Sequence, residues 1–131
     1  MSRLLSVAFI AMLLVFVQHF GGVVEGYLKP VVTPANLTRI EPAESRWSLI
    51  WSNSERLRDC SFEGIEWRIG EPGASSLIDL VFLERSKVRP SGVFDFGPWK
   101  LHATREQIEE RSFAIVRHRC HFLWLTKTTF Y

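Results

Sequence analysis

The residues best suited to chemistry lie close together near the end of the chain, at His118, Cys120 and His121. A cysteine between two histidines is typical of three arrangements: a metal site, a thiol nucleophile with its base, and half of a disulfide. The chain contains 2 cysteines in all, and the other is Cys60. The compartment of the domain and the element that carries the cluster decide among the three.

The cluster lies in a segment, residues 113–131, whose composition is typical of β-structure. Along a strand, His118 and Cys120 share one face, and His121 points to the other. A closed zinc site needs four ligands, and the sequence shows no second spaced pair of cysteines or histidines. A nucleophilic thiolate needs a base aimed at it, whereas neighbours on a strand stand side by side. Metal binding and thiol chemistry stay open as alternatives.

Two cysteines with none left over favour a Cys60–Cys120 disulfide, provided that the domain is exported. Their spacing of about 60 residues is typical of a bond between two sheets. The sequence then predicts no catalytic residue, no metal site and no cofactor. Side chains near Cys120, together with two tryptophans that the pattern does not assign to the core, form a candidate binding patch. Its members are Trp99, Arg117, Arg119, His121 and Trp124.

Export is predicted from residues 4–17, an apolar run that follows Arg3. This pattern is typical of a secretory signal, and residues 4–24 are also long enough to span a bilayer. We favour an uncleaved anchor over cleavage near residues 24–26; a buried core helix is the third alternative. Because positive residues stay inside, Arg3 predicts a cytoplasmic N-terminus and a periplasmic or extracellular C-terminal domain.

The rest of the chain divides into a linker over 27–34, which contains two prolines, and an exported domain over 35–131. Short segments rich in β-branched and aromatic residues alternate with turn formers, which predicts strands. Among these, residues 47–51 place Trp47 and Trp51 on one face, where they fit core positions. Residues 77–83 (LIDLVFL) are expected to form one strand buried on both sides.

Other local signals indicate where strands bend, turn or end and where a helix begins. Gly64, at a change of hydrophobic phase, predicts a bulge. Residues 70–73 and 89–92 predict turns, and Gly97-Pro98 predicts an interruption. Thr104 and Gln107 fit a capping box that begins a short helix over 105–111. Residues 113–131 are too long for one strand, so a reversal is expected near 122–125.

These elements predict an antiparallel, immunoglobulin-like β-sandwich with one short helix, preceded by the N-terminal membrane or signal helix. A length of 131 residues leaves room for a single domain. The formal net charge of +2 is too small to suggest a nucleic-acid partner.

Several strings in the chain are similar to those of a group of uncharacterised small single-anchor proteins of alphaproteobacteria and their phages. The strings are Cys60-x-Phe62 with Trp67, residues 94–99 (FDFGPW), residues 117–121 (RHRCH) with Trp124-Leu125-Thr126, and the terminal Phe130-Tyr131. The resemblance extends from the anchor to the last residue. It implies an envelope setting and brings no active site with it.

Taken together, these features predict a membrane-anchored envelope protein that acts by binding or assembly and not as an enzyme. Its expected partners are the membrane, through the N-terminal helix, and a protein of the cell envelope. A phage-encoded role in modifying the host envelope fits the resemblance. The alternatives are a metal- or thiol-dependent protein that uses Cys60, His118, Cys120 and His121, and a cleaved secreted envelope or virion component.

Overall fold

The computed structural model describes residues 2–84 and 91–131, so part of the turn predicted at 89–92 lies outside the described residues. A long N-terminal helix precedes strands arranged in two sheets. The elements are α1 (Ser2–Leu28), β1 (Asn36–Pro42), β2 (Ser48–Arg56), β3 (Ser61–Glu71), β4 (Ala74–Leu77), β5 (Leu80–Phe82), β6 (Gly92–Leu101), α2 (Arg105–Arg111), β7 (Ser112–Arg119) and β8 (Thr126–Thr129), with a 3₁₀ turn at Glu44–Arg46.

Both sheets are antiparallel and contain four strands each, which confirms a mostly β protein with two sheets. The strand order is β1-β2-β6-β5 in one sheet and β4-β3-β7-β8 in the other. One apolar cluster contains residues from both sheets and from α2. Its centre includes Trp67, which is 0% exposed, and an aromatic group in which Phe96 contacts both Trp99 and Phe130.

The inward face of β2 carries small polar residues, and the prediction that Trp47 and Trp51 lie in the core is wrong. Ile50 is buried together with three serines, Ser48, Ser52 and Ser54, whereas both tryptophans are only half-buried on the opposite face. The serines are tolerated because their hydroxyls donate to the backbone carbonyls of Ala103, Asn36 and Thr33, each at 2.7 Å. The alternation was predictable, but the face that points inward was not.

Residues 77–83 do not form a single buried strand. Leu77 ends β4 in one sheet and Leu80 begins β5 in the other, so the chain crosses between the sheets at residues 78–79. Both strands lie at sheet edges, and Leu77 and Phe82 are exposed. An apolar run at two edges has only one neighbouring strand at each point, which is why it stays partly open to solvent.

The local signals for a bulge and for a helix start are confirmed. The pairing of β3 with β7 shifts by one residue between Phe62 and Gly64. The side chain of Thr104 accepts from the Gln107 N–H, and the side chain of Gln107 accepts from the Thr104 N–H, so α2 begins at Arg105 with a complete capping box. Gly97 and Pro98 do not interrupt β6, which continues to Leu101 with an irregular register opposite Trp51.

The C-terminal segment reverses at residues 120–125, between β7 and β8. Cys60 precedes β3, Cys120 follows β7, and the two residues form a disulfide with their Cα atoms 4.6 Å apart. Because β3 pairs directly with β7, this bond joins neighbouring strands of one sheet. The prediction that the disulfide joins the two sheets is therefore wrong, whereas the prediction that Cys60 and Cys120 are its partners is correct.

Residues 27–34 differ from the predicted linker because they belong to the packed domain. Helix α1 continues to Leu28, and Val31 and Val32 are both buried in the apolar cluster. The Val31 N–H donates to the Thr128 hydroxyl, and its carbonyl accepts from Leu57 N–H. Helix α1 therefore meets the sheets without a free spacer.

Candidate functional site

The C-terminal part of α1 docks on the edge strand β8 through two glycines one helical turn apart. A Cβ atom added at Gly22 would overlap the carbonyl oxygen of Leu125, and one added at Gly26 would overlap that of Lys127. Only glycine lets a helix backbone approach another backbone this closely. The spacing matches as well, because four helical residues and two strand residues both advance about 6 Å.

The ring of Trp124 lies over the helix one residue before this pair. A Cβ atom at Gly21 would come 2.7 Å from the ring of Trp124. Along the chain, residues 124, 125 and 127 thus meet helix residues 21, 22 and 26 in that order. Strand β8 and the end of α1 therefore run in the same direction.

A single carboxylate, Glu25, lies between the two glycines and collects donors from three parts of the chain. Arg58 Nη2 donates to Oε1 at 2.8 Å. The other oxygen accepts from Trp124 Nε1 at 2.6 Å and from Thr126 Oγ1 at 3.0 Å. The side chain of Glu25 is 14% exposed. A carboxylate can leave water at this position because its lone pairs are occupied by donors, one of them charged.

His121 completes the group around Glu25, and its tautomer follows from its two contacts. Its Nδ1 accepts from the Leu123 N–H at 3.2 Å, so Nε2 carries the proton that is shared with Glu25 Oε2 at 2.8 Å. The His121 ring also meets the edge of Trp124 at a centroid distance of 5.0 Å. We call Glu25, Arg58, His121, Trp124 and Thr126 the helix junction.

The helix junction brings together two members of the predicted binding patch, His121 and Trp124, and excludes Trp99. Trp99 is 7% exposed, lies in the core, and donates its indole N–H to Glu84 at 2.6 Å. The prediction that Trp99 belongs to an exposed patch is therefore wrong. Its neighbours Phe96 and Phe82 explain its burial, since its ring is tilted against that of Phe96 and meets that of Phe82 edge-on.

The two arginines of the predicted patch lie on β7 and pair with β3. Arg119 Nε is 3.3 Å from Glu63 Oε1, and Arg117 Nη1 is 3.8 Å from Glu66 Oε1. The Arg117 guanidinium covers Gly64, at which a Cβ atom would come 2.9 Å from Nη2. Both arginines form a charged stripe on the outer face of the sheet, apart from the helix junction.

The structure separates the two histidines that flank Cys120. Both cysteine sulfurs are in the disulfide, so neither is a free thiolate here. Among the residues that the structure describes, no three His, Cys, Asp or Glu side chains are grouped to hold a metal ion. His121 turns toward Glu25, whereas His118 points into the protein beside Phe62.

His118 is a buried, neutral histidine. It is 7% exposed, and its Nδ1 has no hydrogen-bond partner within the described part of the chain. Burial, helped by the positive charge of Arg56, lowers the pKa of His118 from 6.5 to about 4. The side chain therefore serves as a core residue at neutral pH.

Sequence reasoning missed Glu25, Arg58 and the paired glycines of the helix junction. Two signals were present. Gly22-x-x-x-Gly26 is the spacing that lets a helix pack closely against a neighbour. Glu25 is the only acidic residue in α1, and an acidic side chain within an apolar helix usually marks a partner.

Comparison of the chain with models of protein families, with curated proteins and with solved structures finds no match. The helix junction is therefore interpreted from its own geometry.

Replacing Gly22 or Gly26 with alanine is expected to destabilise the domain by about 1–3 kcal/mol, because the added Cβ forces α1 away from β8. The sign is diagnostic, since Gly→Ala in an unpacked helix stabilises by about 0.5–1 kcal/mol. The measurement is urea unfolding of the full-length protein in detergent. Val23→Ala, at an exposed neighbour, should change stability by less than about 0.5 kcal/mol. A gain of stability in both glycine variants would contradict the contact.

Glu25→Gln is expected to lower the free energy of unfolding by about 2–3 kcal/mol, because it removes the charge that Arg58 pairs with and replaces one of the two acceptor oxygens with an NH2 donor. Glu63→Gln is the matched control. Its salt bridge to Arg119 is 39% and 47% exposed, so its loss should cost less than about 1 kcal/mol. Equal losses of unfolding free energy in the two variants would show that Glu25 stabilises the domain no more than an exposed salt bridge does.

The pH dependence of stability is expected to report on His118. Because its pKa is about 4 in the folded protein and about 6.5 when unfolded, the unfolded state binds more protons between these values. Stability should therefore fall by roughly 2–3 kcal/mol as the pH drops from 7 to 4. His118→Phe should flatten this dependence, whereas His102→Phe, at an exposed position, should leave it in place. Parallel pH curves for the wild type and His118→Phe would refute the assignment.

Proposed function

We propose that the protein is a single-pass membrane protein of the cell envelope whose domain acts by binding or assembly and not by catalysis. The observation that carries the proposal is the docking of α1. Its first part, residues 2–20, is exposed along its whole length and is called the bare part below, whereas its last part packs against the domain. The supporting evidence comes from length, packing and cysteine chemistry.

The bare part of α1 has the length of a membrane span. Residues 2–20 are all exposed, and most of them are large and apolar. At about 1.5 Å per residue they extend roughly 28 Å, close to the hydrocarbon thickness of a bilayer of about 30 Å. The whole helix is long and apolar enough to cross a membrane by length and composition. A bilayer is the environment in which such a surface is stable.

The docked part of α1 favours an anchor that stays attached over a signal that is removed. Cleavage that removes residues 1–26 would take away Gly22 and Glu25 and leave the buried hydroxyl of Thr126 and the indole N–H of Trp124 without the oxygen that they share. Uncompensated polar groups of this kind destabilise a fold. The packing thus supports a chain that works with its N-terminal helix in place.

The disulfide and the position of Arg3 support export of the domain. Disulfides persist in oxidising compartments, and the single positive residue before the apolar run favours a cytoplasmic N-terminus. On this topology the C-terminal domain is periplasmic or extracellular. The immunoglobulin-like arrangement stays a prediction: two packed antiparallel sheets suit it, whereas a disulfide within one sheet does not.

A role in binding or assembly fits the structural contacts that occupy the side chains best suited to chemistry. Cys60 and Cys120 are bonded to each other, His121 holds Glu25, and His118 is buried. Each of these groups supports the structure of the domain. The resemblance to single-anchor proteins of alphaproteobacteria and their phages points to the envelope as the setting and to a protein partner there.

The test is the intact mass of the protein from its native membrane fraction, alkylated without prior reduction. The expected result is the full-length mass without alkyl groups, and a sample reduced first should gain two. Loss of residues 1–26 would support the cleaved, secreted component instead. Two alkyl groups on the unreduced sample would favour the metal- or thiol-dependent alternative and make a metal assay the next step.

A further inference from the structure

We propose that the loop between β7 and β8 inserts Phe122 and Leu123 into the lipid bilayer beside α1, so that the domain contacts the membrane at a second point. The occupant of this apolar surface is phospholipid in the leaflet on the domain side. The inference rests on the proposed function, because it requires α1 to span the bilayer.

The direction of the loop follows from the order of contacts along α1. Residues 127, 125 and 124 meet helix residues 26, 22 and 21 in turn, so moving backwards along the chain leads toward the N-terminal end of the helix. Residues 123 and 122 continue in that direction and turn into β7. At about 3 Å per residue, two residues back from Trp124 advance about 6 Å, or about four helical residues, so the tip of the loop lies beyond the level of Phe20. Phe20 ends the bare part of α1.

The side chains at this tip are apolar and open. Phe122 is 87% exposed and Leu123 is 47% exposed. Their immediate neighbours are engaged, since His121 and Trp124 both hold Glu25 and Cys120 is in the disulfide. The loop is therefore fixed at both ends and presents two apolar residues at its turn. A rigid loop of this kind loses little conformational entropy when its tip is buried.

Trp124 marks the height of the membrane surface on the same loop. Its ring covers Gly21, the residue that follows the bare part of α1, and its indole N–H donates to Glu25. A tryptophan with an apolar ring on the hydrocarbon side and its N–H bonded on the polar side is typical of membrane–water interfaces. The direction of the loop then puts Phe122 and Leu123 on the hydrocarbon side of this ring.

The experiment places a photo-crosslinker at single positions of the full-length protein reconstituted in vesicles of phosphatidylethanolamine and phosphatidylglycerol. The loop variant is Phe122→p-benzoylphenylalanine, which replaces one aromatic side chain with another. Phe9, in the bare part of α1, is the position that tests the anchor. Leu77 is the matched control, because it is an exposed apolar residue far from the loop. It pairs with Arg68, seven residues along β3 from the end that lies next to the loop. Intact mass after irradiation detects an added phospholipid.

The expected result is a gain of one phospholipid mass at Phe9 and at Phe122 and none at Leu77. Lipid at Phe9 without lipid at Phe122 would overturn the inserted loop while the anchor stands. Lipid at all three positions would also overturn it, because the domain would then lie on the membrane without a preferred end. No lipid at Phe9 would overturn the proposed function itself, and the loop with it.

Discussion

A single carboxylate held between two glycines, Glu25 with Gly22 and Gly26, joins a bare apolar helix to the edge of a β-sheet. The glycines bring the helix backbone against the carbonyls of Leu125 and Lys127. The carboxylate then accepts from Thr126 on the sheet and from Arg58 on the loop before β3. Neither part suffices alone. Without the close approach Glu25 would not reach Thr126, and without Glu25 the buried donors would lack an acceptor.

The same contact solves a problem of sheet architecture. Strand β8 lies at the edge of its sheet, and an uncovered edge offers unpaired backbone groups to other chains. Helix α1 covers that edge, so its carbonyls face the glycine backbone. The disulfide closes the neighbouring pair of strands, β3 and β7, just before the loop that carries His121 and Trp124. The end of the domain at which α1 emerges is consequently held by both a disulfide and the docked helix, which suits the proposed position against a bilayer.

Several features of the fold follow from local interactions and were therefore predictable. The capping box of α2 involves residues three apart, and the bulge at Gly64 follows a change in hydrophobic phase. The partners of the disulfide were predictable because the chain has only two cysteines. Alternation along β2 was also visible, but a period of two does not say which face is inward. Burial of Ser48, Ser52 and Ser54 became possible only because carbonyls from distant segments accept their hydroxyls.

The sequence by itself determined that this is a strand-rich chain with an apolar N-terminal helix, one short capped helix and one disulfide, since these depend on composition and on neighbours along the chain. Only the tertiary structure decided that Trp99 is a core residue, that residues 77–83 serve two different sheets, and that His118 and His121 have separate surroundings. Glu25 shows the reason most clearly. Its donors lie between 33 and 101 residues away in the chain, and no local pattern encodes a meeting of groups that only folding brings together.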